Sequence, residues 1–76
     1  MSASREPVRP GRYRHFKGGE YEVLGVATHS ETQERYVVYR PLDRESGLWV
    51  RPLAMFVETV THNGAELPRF TRLGDA

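Results

Sequence analysis

Two stretches decide the fold: Arg35-Tyr36-Val37-Val38-Tyr39-Arg40-Pro41-Leu42 and Leu48-Trp49-Val50-Arg51-Pro52-Leu53. Each is a short apolar run that ends in Arg-Pro-Leu. β-Branched and aromatic side chains favour a pleated, half-buried surface over a helix. Proline has no N–H to give a ladder and pushes the residue before it towards extended backbone. Arg40 and Arg51 therefore read as the last extended residues of two strands. Asp43-Arg44-Glu45-Ser46-Gly47, between them, is a polar cluster with a glycine and reads as their turn.

Upstream, Tyr21 to Thr28 is another strand. Its alternation places Tyr21, Val23, Gly25 and Ala27 on one face and Leu24, Val26 and Thr28 on the other. Gly25 in mid-run predicts a bend or bulge. The polar residues 29–34 connect this strand to the next. Arg12 to Phe16 makes a short first strand, followed by the turn Lys17-Gly18-Gly19-Glu20. Downstream, Pro52 suits the first position of a helix, so one helical turn is expected over Pro52 to Met55. A strand from Phe56 to Thr61 follows, then a hairpin at Asn63-Gly64. The final strand is Pro68 to Leu73, with Phe70 as its buried anchor.

The architecture expected is mainly β: a small SH3-like barrel of five or six short strands with one helical turn, closed on itself to hide its edges. An OB-type barrel fits less well, since it needs a longer chain and a longer intervening helix. The ordered domain is expected over 12–73. Residues 1–11 read as a disordered basic tail and 74–76 as a frayed end.

A chain of 76 residues makes one domain with a small core. It has no cysteine, which excludes disulfides and thiolate zinc sites and fits a reducing cytosol. His15, His29 and His62 share no ligand spacing, so neither a metal nor any other cofactor is called for. Net charge is +1, too balanced for a general nucleic-acid footprint. The basic residues are ten arginines and one lysine, and arginine favours planar, stacked contacts. No run approaches the length of a membrane span, and residues 1–10 hold no apolar signal region. The expected location is cytoplasmic.

Together these residues carry a family pattern. It runs through Tyr13-Arg14-His15-Phe16-Lys17-Gly18, Tyr21-Glu22-Val23-Leu24, Thr32-Gln33-Glu34 and Tyr39-Arg40. It continues through Leu48-Trp49-Val50-Arg51-Pro52-Leu53, Met55-Phe56 and Pro68-Arg69-Phe70. Over roughly residues 11–73 the chain resembles a family of small bacterial domains of unknown function. The resemblance implies a compact β-rich domain, often forming the whole protein, and no activity. Pro41 departs from the pattern, where a small or apolar residue is expected.

The candidate ligand-binding residues are Tyr13, His15, Lys17, Tyr39, Arg40, Trp49 and Arg51. Tyr13, Tyr39 and Trp49 would form an aromatic surface, with Arg40, Arg51 and Lys17 at its rim. Trp49 and Arg51 share one strand face; Trp49 either stacks on a ligand or fills the core. Arg40 and Arg51 either clamp an anion together or pair with an acid such as Glu20, Glu22 or Glu34. His15 and Lys17 flank Phe16 before the glycine turn, where backbone N–H groups can face an anion. The turn lacks the P-loop pattern.

Enzyme chemistry finds little support, and a small enzyme is the least favoured of three readings: there is no cysteine nucleophile, no Gly-x-Ser-x-Gly elbow and no selected carboxylate pair. A binding module for a peptide or protein surface is the leading reading. Single-stranded nucleic-acid binding by the same face is the alternative.

Overall fold

The computed structural model describes residues 8–75. Seven strands and one helical turn follow one another as β1 (Gly11–His15), β2 (Glu20–Thr28), β3 (Arg35–Pro41), β4 (Trp49–Pro52), α1 (Leu53–Phe56), β5 (Thr59–His62), β6 (Ala65–Pro68) and β7 (Phe70–Gly74). Five strands form one antiparallel sheet in the order β4-β3-β2-β1-β7, and β5 pairs with β6 as a separate hairpin. The domain is mainly β, as its residue types require. The five-stranded sheet is not a closed barrel, and the described residues form seven strands in all rather than five or six. Among the described residues no helix is long and apolar enough to cross a membrane.

β4 and β7 are the open edges. β4 has only four residues and ends in Pro52, which lacks an N–H to recruit another strand. The sheet nevertheless curls until its edges approach: the Arg51 guanidinium on β4 lies 5.7 Å from the centre of the Phe70 ring on β7. Strand twist thus brings the edges close enough for side chains, rather than a ladder, to span the seam.

The inner face of the curl holds the core of Val8, Tyr13, Val23, Val37, Tyr39, Phe56 and Phe70. Phe56, at the end of α1, stacks on Phe70 with ring centres 4.0 Å apart and planes 4° from parallel. It is the anchor of the helical turn, not the first residue of a strand, because a strand starting there would turn its ring away from Phe70. β5 consequently begins at Thr59. Asn63 and Gly64 both take positive φ, 55° and 78°, as a two-residue hairpin turn of mirror-image type I requires. That hairpin joins β5 to β6, however, and the last strand, β7, leaves it to pair with β1.

Two local features depart from simple alternation. In β2 the register shifts between Val23 and Gly25, so Leu24 bulges outward and Val26, not Gly25, lies opposite the buried Val37. The bulge restores two valines to the inner face. In β3 the strand runs through Pro41, which pairs with Tyr21 and is fully buried. The Leu42 N–H donates to the Glu20 carbonyl at 3.0 Å, so the missing N–H of Pro41 faces the other side, beyond the start of β4, where nothing needs it.

The described residues flanking the sheet are held further than their composition implies. Val8 is buried in the core. The Tyr13 hydroxyl donates to the Arg9 carbonyl at 2.8 Å, and an Arg72 Nη2–H donates to the Pro10 carbonyl at 2.9 Å. Of the tail expected over 1–11, Val8 and Gly11 are therefore buried and the exposed Arg9 and Pro10 are tied down through their carbonyls, while residues 1–7 lie outside the described residues. At the other end β7 continues through Gly74, and Arg72 pairs with Asp75 at 2.9 Å.

Candidate functional site

The site is built on the seam where the sheet edges approach. β4 pairs Trp49 with Tyr39 and Arg51 with Val37, both buried residues of β3, so Trp49 and Arg51 point inward and Val50 outward. Tyr39 and Phe70 form a buried aromatic floor, their rings 5.9 Å apart. Tyr21 stands half-buried beside them, 5.4 Å from Tyr39, 5.8 Å from Phe70 and 6.1 Å from Trp49. Trp49 meets Tyr39 edge-on at 6.0 Å, and the Arg44 guanidinium rests 5.4 Å from the indole. Trp49 thus packs against the core while remaining partly exposed.

Arg51 crosses this floor. Its Nε–H donates to the Tyr39 hydroxyl at 3.3 Å and its guanidinium lies against Phe70. Ion pairs engage Arg12, Arg14, Arg40, Arg44, Arg69 and Arg72; among the described residues no carboxylate is paired with Arg51. A half-buried guanidinium with only a phenol and a ring for company has donors to spare.

His15 enters from β1, directly opposite Phe70. Its ring lies edge-on to Phe70 at 4.9 Å and tilted against Phe16 at 4.6 Å. Its Nδ1 accepts the Lys17 N–H at 3.1 Å. Burial, then the charges of Arg51, Arg69 and Lys17, hold the His15 pKa below its ordinary 6.5. The imidazole is therefore neutral at pH 7, and with Nδ1 accepting, its proton sits on Nε2. Lys17 is exposed, its ammonium 5.8 Å from the Phe16 ring.

The structure separates the seven sequence-derived residues. Trp49, Arg51 and His15 share the seam, with Lys17 beside it. Tyr13 and Tyr39 are buried at 6% and 3% exposure, so they build the core and do not form an open aromatic surface. The reason is register: Tyr13 pairs with Tyr21 and Tyr39 with Val23, all on the inner face. The clamp of Arg40 with Arg51 does not form. Arg40 lies opposite Glu22, bonds its Oε1 through Nη2 at 2.6 Å and Nε at 2.9 Å, and points away from the core. The strands continue through Pro41 and Pro52, and antiparallel pairing puts the ends of β3 and β4 at opposite ends of the ladder, so arginines next to those ends cannot meet. Tyr21 is the site residue that sequence reasoning passed over. Its place on the same face as Val23 was the available signal. Nothing in the sequence announces Arg44 over Trp49.

The family profile described as "Protein of unknown function (DUF1653)" matches residues 11–72. The chain is similar to a crystal structure of a protein belonging to DUF1653 from Bordetella bronchiseptica, with 39% sequence identity, a TM-score of 0.84 and coverage of 96% of each chain. No curated protein matches it. The family match reaches every strand, and the structural likeness extends over nearly the whole molecule: the chain belongs to DUF1653, a family of proteins of unknown function.

Proposed function

We propose that the protein is a cytoplasmic binding module that recognises an acidic segment of another protein at the seam between β4 and β7. The observation that carries this reading is Arg51: it is half-buried among aromatic rings, and no carboxylate of the described residues neutralises it. His15 and Lys17 add donors on one side, while Trp49 and Tyr21 offer partly exposed rings on the other. Such a surface complements a negative charge flanked by apolar side chains. Arg69, nearby, is already engaged by Glu58 at 3.0 Å. The cysteine-free composition agrees with a reducing compartment.

A titration of the isotope-labelled protein with pools of acidic peptides tests the reading. Amide and indole shifts are expected to centre on Tyr21, Trp49, Arg51 and Phe70. Shifts confined to other faces, or none with any pool, would refute it. A single-stranded oligonucleotide run in parallel addresses the alternative. Binding that weakens as steeply with salt as phosphate neutralisation demands would favour nucleic acid over a peptide.

A further inference from the structure

Building on that surface, we infer that Arg51 and His15 together form a seat for one carboxylate group of the bound segment. Arg51 offers its two Nη groups, and His15 offers Nε2–H. Both side chains pack on the same ring, Phe70, although they come from different strands: the guanidinium is 5.7 Å and the imidazole 4.9 Å from its centre. Each is oriented by a second bond. The Tyr39 hydroxyl takes the Arg51 Nε–H, which leaves the Nη edge for a ligand. The Lys17 N–H occupies His15 Nδ1, which fixes the proton of the neutral ring on Nε2. Donors held in advance in this way lose little freedom on binding.

The charge balance selects the class of anion. Around His15 stand Lys17 from the β1–β2 turn, Arg51 from β4, and Arg69 from the β6–β7 junction. Glu58 already compensates Arg69, and His62 on β5 reaches His15 only through the Phe16 ring. Lys17 is exposed to solvent. One fixed, uncompensated cation remains, which matches a monoanion and falls short of the several donors a phosphate dianion requires.

Linkage supplies a signature that belongs to this seat alone. A carboxylate placed beside His15 opposes the cations that now disfavour its protonation, so binding must raise the His15 pKa. By reciprocity, affinity must rise as pH falls through the His15 titration range and level off below it.

The test follows the His15 ring resonances against pH in sodium acetate, in acetamide, and in sodium chloride at matched ionic strength. Acetate is expected to raise the His15 pKa by roughly half a unit or more, with acetamide and chloride inert. The rise should vanish in Arg51→Gln and persist in Arg40→Gln, with amide spectra reporting that both remain folded. Arg51→Lys, which keeps the charge but loses the fork, should show a smaller rise. Two tripeptides then distinguish the source of the carboxylate, one blocked at both ends with a central glutamate and one without acidic side chains, blocked at its N-terminus alone. An unmoved His15 pKa in acetate, or an equal rise in Arg51→Gln, overturns the seat. Peptide pools that bind at Trp49 and Tyr21 without moving His15 would remove the seat and leave the recognition surface standing. Acetate binding with no peptide bound by any pool would do the reverse.

Discussion

Replacing Phe56 with alanine is expected to leave the domain largely unfolded near physiological temperature. Phe56 is 2% exposed and stacks flat on Phe70. Tyr13 and Tyr39 close on it edge-first at 5.6 and 5.7 Å. One side chain therefore joins β1, β3, β7 and the helical turn. Truncating such a residue removes its transfer energy and leaves a cavity, together about 3–5 kcal/mol. A domain this small has a total stability on the order of 5 kcal/mol. The melting temperature, followed by circular dichroism, should fall by about 15–30 °C. Phe56→Leu should recover much of that loss. A Phe56→Ala protein melting within a few degrees of wild type would mean that α1 does not hold the core.

Gly11→Ala is expected to be nearly as damaging, for a backbone reason. Gly11 opens β1 with φ +148°, a conformation that side chains disfavour. An added Cβ would lie 2.4 Å from the Gly74 carbonyl oxygen and within 3.0 Å of the Arg72 guanidinium. The backbone of β7 must then retreat from β1, and the Arg72 bond to Pro10 goes with it. Strain of this kind costs on the order of 1–3 kcal/mol before the lost pairing is counted. Urea denaturation should show a lower midpoint, and amide exchange should quicken first along β7. Gly18→Ala is the control for surface glycines, since a Cβ there meets nothing within 4 Å, although its φ of +109° still carries local strain.

The strands were legible where residue type and punctuation agree. Residues 35–40 and 48–51 are β-branched and aromatic with turn clusters on either side, and Asn63-Gly64 can hardly be anything but a tight hairpin. Pairing partners were not legible. That β7 leaves its neighbour to join β1 depends on Phe70 meeting Phe56, a contact between residues whose positions along the chain carry no mark of each other. Gly25 marks a bend or bulge in the sequence, but the effect of the Leu24 bulge, turning Val26 inward, follows only from the register. Burial of Tyr13 and Tyr39 was missed for a related reason. In a domain with few large side chains, aromatics that look available for recognition are needed to fill the interior. The separation of Arg40 from Arg51 is likewise a matter of register: each stands next to the last residue of its strand, and antiparallel pairing sends those ends apart. Trp49 and Arg51 were legible together because two residues apart on a strand means one face.

The comparison of Arg51→Gln with Arg40→Gln tests the recognition surface most directly. Both changes remove one arginine from neighbouring strands, Arg51 from the inner face and Arg40 from the outer one, where it pairs with Glu22. Affinity for a single acidic peptide that binds the wild-type protein is measured for each by calorimetry at fixed salt. Loss of a charged hydrogen bond to the ligand predicts a fall of about tenfold or more for Arg51→Gln. Arg40→Gln, which removes an exposed pair with Glu22, should change affinity by no more than about twofold. An equal loss from both, or a loss from Arg40→Gln alone, would contradict recognition at the seam.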